Sequence, residues 1–302
     1  MKNILAKYKN GNYNVLLLSD GTKIRYNHLD NLTPAFAESI DCTITTKCDG
    51  HCSFCYLNCT EYGTHADLNQ PFFDTLHEGT ELALNGNDLS HPDLESFLIK
   101  MKNKGVFCNL TVNQKHFLKY SDKLLTWSKL NLINGLGISL NDSTDSKLYT
   151  ELAKFPNAVI HSIDGLLTKE DIDNLSNKNI KLLILGYKIL GRGDLYYTQH
   201  KNEILANINW LKNNIMMLKD KFYVISFDNL AIDHLEIKTK FKIEDWSIYY
   251  MGDEGKYTFY ISLVDNYYSI SSLDTVHKWP ILENDTVDTM FKKVRETILN
   301  EY

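Results

Sequence analysis

The sequence predicts an α/β protein built on a partial (β/α)6 TIM-like barrel. From Ser39 onward, short apolar strands alternate with amphipathic helices at a spacing of roughly 25–30 residues, which is typical of right-handed parallel βαβ units. Six such units are too few to close an eight-unit barrel, so we expect a partial one. The chain has 302 residues and is 43% hydrophobic, which is enough apolar material for a substantial core.

The barrel is expected over residues 39–220, where its elements are short apolar runs separated by turn signals. Its strands are predicted at residues 39–45, 79–84, 107–112, 136–140, 158–163 and 181–185. Its helices are predicted at residues 71–77, 93–103, 116–131, 144–154, 168–178 and 201–219. Pro92 and Gly105 stand where a helix commonly begins and ends, which supports the second helix.

Two smaller segments flank the predicted barrel. Residues 1–38 are expected to form a β-appendage, a hairpin with strands at 14–18 and 23–26 around a turn at Asp20. Residues 221–302 are expected to form a β-rich extension that covers one end of the barrel. Its strands are predicted at 223–227, 246–251, 257–264 and 267–271, and a final helix at 285–299.

Charge and composition exclude several classes of protein. The formal net charge is −6, the sequence pI is about 5.9, and Lys292-Lys293 is the longest basic run we find, so we expect no general nucleic-acid binding. The sequence has neither a secretory signal nor an apolar run that could span a bilayer, which predicts a cytoplasmic protein without membrane contact. In a reducing cytosol, clustered cysteines indicate metal or redox chemistry rather than disulfides.

The cysteines concentrate in a short segment directly after the first predicted strand. Cys48, Cys52 and Cys55 are separated by three and two residues, and Cys59 follows. Three thiolates in one loop can hold three irons of a 4Fe–4S cluster and leave the fourth iron open, and catalysis requires an open metal position. S-adenosylmethionine chelated on that iron would give a 5′-deoxyadenosyl radical after one-electron reduction.

Structural zinc on the same four cysteines is a second interpretation. Zinc modules normally pair two Cys-x2-Cys knuckles across a longer loop, whereas these cysteines are crowded into twelve residues. The spacing therefore favours the iron–sulfur cluster. A non-catalytic regulatory protein that binds zinc or a fully ligated cluster, with Cys59 as a possible fourth ligand, stays the alternative from another class.

The Cys48-x3-Cys52-x2-Cys55 motif, with Phe54 before its third cysteine, resembles the signature of the radical S-adenosylmethionine (radical SAM) superfamily. The resemblance covers about residues 39–200. It implies a partial (β/α)6 barrel, a 4Fe–4S cluster on the three cysteines, S-adenosylmethionine as cofactor, and an electron donor such as flavodoxin or ferredoxin. It also implies that Phe54 lies near the adenine.

The resemblance implies further cofactor contacts at the carboxyl ends of later strands. Asn85, Gly86 and Asn87 stand where the superfamily often has the Gly-Gly-Glu that holds the methionyl amine. An Asn carbonyl at position 87 can accept a hydrogen bond from an ammonium group but lacks the charge of the usual acid. The candidates on the third and fourth strands are Asn113, Ser139 and Asn141. Loop capping explains these three residues equally well.

The substrate side is predicted after the sixth strand. Tyr187 and Lys188 would enter the barrel mouth opposite the cluster, and Arg192, in a glycine-rich loop, could hold a carboxylate or phosphate. A solvated loop explains the glycines equally well. The predicted function is hydrogen-atom abstraction from a small-molecule or nucleotide substrate. The alternative is peptide modification or glycyl-radical activation, although residues 221–302 lack the cysteines of the auxiliary clusters in many peptide-modifying relatives.

Overall fold

The computed structural model describes residues 3–29, 31–85 and 89–301, over which it contains thirteen strands and nine α-helices. The strands are β1 (Ile4–Asn10), β2 (Tyr13–Leu18), β3 (Lys23–Tyr26), β4 (Ser39–Thr43), β5 (Glu81–Asn85), β6 (Phe107–Asn113), β7 (Gly135–Ser139), β8 (Ala158–Ile163), β9 (Lys181–Leu185), β10 (Val224–Phe227), β11 (Thr258–Ser262), β12 (Tyr267–Ser269) and β13 (Trp279–Pro280). The helices are α1 (Leu94–Asn103), α2 (Gln114–Lys119), α3 (Ser121–Lys129), α4 (Ser146–Leu152), α5 (Lys169–Leu175), α6 (Arg192–Leu218), α7 (Asn229–His234), α8 (Ile243–Tyr249) and α9 (Val287–Glu301).

A ten-stranded sheet organises the chain, in the order β10-β9-β8-β7-β6-β5-β4-β11-β12-β13. Each neighbouring pair from β10 to β11 is parallel, and β12 and β13 are added antiparallel. The predicted α/β architecture with a large parallel sheet is therefore confirmed, and the six predicted strands are neighbours in chain order. Because parallel strands share one carboxyl edge, the loops that follow them meet there.

The two faces of the parallel strands differ in chemistry. Alternate residues such as Leu82, Ile160 and Leu182 are fully buried in the main hydrophobic core, which they share with helix residues. Residues on the other face include Asn109 and His161, which line a cavity of about 260 Å³ near the amino ends of the strands. The period of two along each strand produces this division between an apolar face and a mixed face, to which Ala83 and Val159 also belong.

The amino-terminal segment forms a separate three-stranded sheet in the order β1-β2-β3. The predicted hairpin is present as β2 and β3, and β1 adds a strand that the sequence pattern did not predict. Its β2–β3 turn contacts the large sheet, because the amide of Asn157 donates to the carbonyl of Ser19 at 2.9 Å.

Several predicted elements differ from the observed ones. Residues 221–302, predicted to be β-rich, contain the helices α7, α8 and α9 beside four short strands, and the predicted helix at 116–131 is divided into α2 and α3. The segment Pro71–Thr75 is a short 3-10 helix, shorter than the predicted helix. Helix α6 begins at Arg192 and includes a non-helical residue at His200, so the predicted helix from 201 is its second part and Gly193 lies in its first turn rather than in a loop. Residues 246–251 were predicted as a strand, but Ile243–Tyr249 is α8.

The error at α8 has a physical reason. Aromatic residues favour strands, and this segment is rich in them. In a helix, however, Trp246 and Tyr250 are neighbours, and their rings stack with centroids 4.6 Å apart. Glu244 and Asp245 lie in the first turn, where acidic side chains interact favourably with the helix dipole.

Within the described residues, the structure has no helix of the length and apolar character required to cross a membrane.

Candidate metal centre

The four clustered cysteines lie in a loop that follows β4, and hydrogen bonds join the two ends of this loop. The N–H group of Cys48 donates to the carbonyl of Thr60 at 2.7 Å, and the N–H group of Thr60 donates to the carbonyl of Thr46 at 3.0 Å. The N–H group of Ala66 donates to the carbonyl of Ile44 at 2.9 Å. These bonds satisfy the backbone of an irregular segment and hold the ends of the loop together. The cysteines therefore project from a closed loop at the carboxyl edge of the parallel sheet.

Two of the sulfurs lie around Gly50. Its N–H group donates to Sγ of Cys48 at 3.3 Å, and a Cβ atom at Gly50 would lie 3.2 Å from that sulfur and 3.8 Å from Sγ of Cys52. From the end of β6, Nδ2 of Asn113 approaches Sγ of Cys52 at 4.0 Å. The absence of a side chain at Gly50 thus leaves room beside two sulfurs. The structure brings Cys48, Cys52 and Asn113 together.

The last two cysteines of the loop contact each other. A hydrogen bond from the Cys59 thiol, with N–H donors of Cys59 and Leu57, lowers the pKa of Cys55. The same side-chain bond, together with burial, raises the pKa of Cys59. Burial raises the pKa of Cys52. The contact lets one of these two thiols lose its proton while the other donates to it, and the thiolate is the form that binds metals.

A hydrogen bond between Asp49 and His116 connects the first half of the loop to α2. Nε2 of His116 is hydrogen-bonded to Oδ1 of Asp49, and this bond lowers the pKa of Asp49. The ligand atoms of both residues and Sγ of Cys48 all lie within 4.8 Å of one another. The sequence analysis did not identify either residue, because they are 67 positions apart and share no motif.

The start of α6 contacts the second half of the loop. The guanidinium of Arg192 donates to the carbonyls of Cys52 and Cys59 at 3.1 and 2.8 Å, so this side chain is directed at the cysteine loop. Phe54 is half-buried beside the same helix, with its ring edge-to-face against Tyr196 at a centroid distance of 6.0 Å. The structure therefore brings Arg192 and Tyr196 of α6 to the cysteine loop, which contains Phe54.

Tyr187 is buried where β9 ends, and it links two parts of the site. Its N–H group donates to Oδ1 of Asp164 at 2.9 Å, and its hydroxyl donates to the carbonyl of Gly193 at 2.8 Å. Asp164 is fully buried and also binds Nδ1 of His234 at 2.7 Å. This hydrogen bond raises the pKa of His234. The hydroxyl of Tyr187 thus connects the end of β9 to the backbone of the first turn of α6 through a hydrogen bond.

Lys188 lies among acidic groups on the same side. Its Nζ atom donates to Oγ of Ser272 at 2.8 Å. Burial lowers the pKa of Lys188, and the charges of Asp228, Asp41 and Glu254 oppose that shift. A partly buried ammonium group thus lies near several carboxylates at the carboxyl edge of the sheet.

The remaining predicted cofactor residues occupy neighbouring strand ends. Asn113 of β6 is paired in register with Ser139 of β7, and Asn85 ends β5. Asn141 is exposed, and its N–H group donates to Oε1 of Gln114 at 2.8 Å. Gly86 and Asn87 lie outside the described residues.

Several polar groups near this edge carried only weak signals in the sequence. Asp41 interrupts the apolar pattern of β4, and Thr43 is hydrogen-bonded to the hydroxyl of Tyr260 at 2.7 Å. A charged residue within a predicted buried strand was the signal that could have identified Asp41. The contacts of Tyr260, by contrast, depend on the parallel pairing of β11 with β4, which has no local signature.

The structure is similar to crystal structures of SuiB from Streptococcus suis. SuiB bound to S-adenosylmethionine has a TM-score of 0.61 and 14% identity, over 87% of this chain and 68% of that one. SuiB bound to the precursor peptide SuiA has a TM-score of 0.61 and 15% identity, over 88% and 67%. The sequence matches no protein-family model, and no curated protein shows significant similarity to it. At this identity, the similarity shows a shared fold.

Proposed function

We propose that this chain is a radical SAM enzyme that binds one 4Fe–4S cluster through Cys48, Cys52 and Cys55. The observation that carries the proposal is a closed loop of thiols at the carboxyl edge of a parallel sheet whose fold is shared with SuiB. SuiB was crystallised with S-adenosylmethionine, which supports the same cofactor here. In this proposal the strands β4 to β9 form the partial (β/α)6 barrel, and residues 1–38 and 221–302 are its two appendages.

The donor set fits such a cluster. Its ligands would be soft thiolates from one loop, with space left beside two sulfurs at Gly50. In this proposal Cys59 lies outside the ligand set, which leaves one iron open for the amino and carboxylate groups of S-adenosylmethionine. When bound, the cluster supplies the electron that cleaves the sulfonium and yields the 5′-deoxyadenosyl radical.

The residues of the chain would orient the cofactor and protect it from water. Asn113 and Ser139 are register neighbours at the carboxyl edge, which suits contacts with the methionyl and ribose groups. Phe54 would pack against the adenine. The other residues assigned to the cofactor in this proposal are Asn85, Gly86, Asn87 and Asn141.

The reaction we propose is hydrogen-atom abstraction from a substrate bound near Tyr187 and Lys188. A C–H bond of the substrate breaks, and its hydrogen joins the 5′ carbon of the deoxyadenosyl radical. The proposed substrate is a small molecule or nucleotide, and the carboxylates around Lys188 would suit its uncharged polar or cationic groups. Peptide modification is a second candidate, which the complex of SuiB with its precursor peptide SuiA supports.

The proposed cofactor indicates which electron donor and which cell compartment the enzyme requires. Reduction of the cluster requires a one-electron donor such as flavodoxin or ferredoxin. We propose a cytoplasmic location, because a reducing compartment keeps clustered cysteines available as metal ligands.

One anaerobic experiment tests the proposed function. The purified chain is reconstituted with iron and sulfide, then mixed with dithionite and S-adenosylmethionine, and 5′-deoxyadenosine is measured by mass-detected chromatography. We expect about four irons per chain, an electron paramagnetic resonance signal after reduction, and 5′-deoxyadenosine. Cys52→Ala should abolish all three, and Cys59→Ala should retain them. Stoichiometric zinc in the isolated protein, with no 5′-deoxyadenosine, would instead support the non-catalytic metal-binding alternative.

A further inference from the structure

The first residues of α6 bind the second half of the cysteine loop through several hydrogen bonds. The N–H group of Arg192 donates to the carbonyl of Cys55 at 3.2 Å and to Oδ1 of Asn58 at 2.8 Å. Its Nε atom donates to the carbonyl of Cys52 at 3.1 Å, and its Nη2 atom donates to the carbonyl of Cys59 at 2.8 Å. One residue therefore binds backbone oxygens of three of the four clustered cysteines.

Glycine at position 191 makes this close contact possible. Gly191 has a φ of 55°, and a Cβ atom there would lie 2.4 Å from the carbonyl oxygen of Tyr56. Only glycine adopts this conformation without strain and also lets the two backbones approach so closely. The local sequence thus favours the contact of the helix start with the cysteine loop.

The guanidinium brings a permanent positive charge to the loop. No ion pair to Arg192 is found within residues 3–29, 31–85 and 89–301, so no carboxylate within ion-pair distance there neutralises this charge. Its planar set of donors matches two carbonyl groups held at fixed positions. A cation beside an iron–sulfur cluster, and hydrogen bonds around its ligands, favour the reduced state of the cluster.

We propose that Arg192 is a positioning residue that orders the cysteine loop before iron binds and, by its charge, favours reduction of the bound cluster. The first part concerns the chain alone, and the second rests on the proposed function. Both differ from the expectation that Arg192 holds a substrate carboxylate or phosphate, because its Nε and Nη2 atoms already donate to the loop.

The iron-free, reduced protein tests the first part without any cofactor. The rate of Cys59 alkylation by iodoacetamide is measured by peptide mass spectrometry in the wild type and in Arg192→Gln, Arg192→Lys and Lys201→Gln. Lys201→Gln is the matched control, because it removes one positive charge from an exposed position of the same helix. Cys59 is 8% exposed, so its alkylation requires the loop to open.

We expect Cys59 in Arg192→Gln to react about tenfold faster, which corresponds to loss of about 1.4 kcal/mol of local stability. Arg192→Lys should react at an intermediate rate, since lysine keeps the charge but not the paired donors. The control should react like the wild type. Equal rates in the wild type and Arg192→Gln would overturn the first part, whether or not the chain binds iron.

The reconstituted protein tests the second part. The midpoint potential of the cluster is measured by redox titration with electron paramagnetic resonance detection. Arg192→Gln should shift it to a more negative value, and Arg192→Lys and Lys201→Gln should stay close to the wild type. An unchanged potential in Arg192→Gln would overturn the electrostatic role. If Arg192→Gln fails to fold, Arg192→Lys is compared with the wild type instead. An alkylation rate of Cys59 in Arg192→Lys equal to that of the wild type overturns the loop-ordering role. A more negative midpoint potential in Arg192→Lys overturns the role of charge alone.

Discussion

The ammonium group of Lys188 lies 4.2 Å from the centroid of the Tyr56 ring, so the segment that follows β9 contacts the cysteine loop directly. Tyr56 immediately follows Cys55 in the sequence. Favourable cation–π contacts occur at such distances. Lys188 therefore joins the predicted substrate side to the predicted metal side of the site. Its loss should affect both the stability of the fold and the geometry of the loop.

Replacement of Lys188 by Met should destabilise the protein in a pH-dependent way. Burial raises the pKa values of Asp228 and Glu254, and the positive charge of Lys188 opposes those shifts. Without the ammonium group, the folded-state pKa values of both acids rise further. A carboxyl group whose pKa is raised by folding stabilises the protein at low pH, and this contribution is lost as pH rises through the folded pKa.

We therefore expect Lys188→Met to lower the free energy of unfolding by about 1 kcal/mol at pH 5 and by about 2–3 kcal/mol at pH 8. Urea unfolding of the iron-free protein at both pH values measures the difference. Lys201→Met, at an exposed position of α6, should change stability little at either pH. A destabilisation that is equal at pH 5 and pH 8 would contradict the electrostatic explanation.

The hydrogen bond between His234 and the buried Asp164 predicts a second pH dependence, of known sign. Asp164 raises the pKa of His234 above its unfolded value, so protonated His234 stabilises the fold. This stabilisation is complete below the unfolded pKa of about 6.5 and is lost as pH rises through the folded pKa. His234→Gln should therefore cost more stability at pH 5.5 than at pH 8.5.

Two measurements check this prediction. Unfolding of His234→Gln over the pH range gives the stability difference, and His28→Gln, at an exposed position, serves as a control that should show no such trend. Nuclear magnetic resonance titration of the imidazole should give a pKa above the ordinary value in the wild type and a lower one in Asp164→Asn. An imidazole that titrates at its ordinary pKa in the wild type would disprove the prediction.

The parallel strands could be predicted from the sequence because their signal is local. Each predicted barrel strand is a short apolar run between turn residues, and β8 and β9 agree with their predicted bounds to the residue. The helix α8 was missed because its aromatic residues favour a strand locally, whereas their stacking across one helical turn depends on the fold.

The same difference between local and long-range signals applies to the candidate site. Cys48, Cys52 and Cys55 can be proposed as ligands from the sequence because their spacing is contained in eight residues. The contact of Arg192 with Cys52 spans 140 positions and has no signature along the chain, so the sequence could not predict it. Long-range contacts of this kind depend on the order of the strands, which brings the start of α6 next to the loop after β4.

Asn113 performs two tasks that substitution can separate. Its Oδ1 atom accepts from the N–H group of Lys115 at 2.9 Å and caps α2, while its Nδ2 atom faces Sγ of Cys52. Asn113→Asp keeps an acceptor for the cap but replaces the donor by a negative charge near the sulfur. Asn113→Ala removes both and should cost about 1 kcal/mol of stability through the lost cap.

We expect Asn113→Asp to keep the cap of α2 but to lose stability, because Asn113 is 1% exposed and its carboxylate would be buried without a partner. It should also retain less iron after reconstitution, because its charge repels the thiolates. Asn113→Ala should be less stable, yet it should retain more iron than Asn113→Asp. Iron content per chain and the unfolding midpoint measure the two effects. If both variants lose stability and iron in proportion, the two tasks of Asn113 are not separate.

Of these variants, substitution of Glu38 should cause the largest loss of stability, because its side chain is fully buried between the two sheets. Its Oε1 atom accepts from Nε of Arg25 at 2.9 Å and is hydrogen-bonded to the hydroxyl of Tyr13. Lys23 approaches the same carboxylate at 3.4 Å. Glu38→Gln removes the charge that compensates Arg25, whose side chain is 10% exposed, and should lower the free energy of unfolding by about 3–5 kcal/mol.

A double substitution distinguishes loss of the ion pair from general damage to the packing. If the uncompensated charge of Arg25 is the cause, Glu38→Gln with Arg25→Met should be more stable than the sum of the two single losses predicts. Glu61→Gln, at an exposed position of the cysteine loop, is the control and should change stability by less than about 0.5 kcal/mol. Strictly additive losses in urea unfolding would show that Glu38 and Arg25 stabilise the fold independently. Non-additive losses would show that the buried ion pair of Glu38 and Arg25 holds the amino-terminal sheet against the parallel sheet.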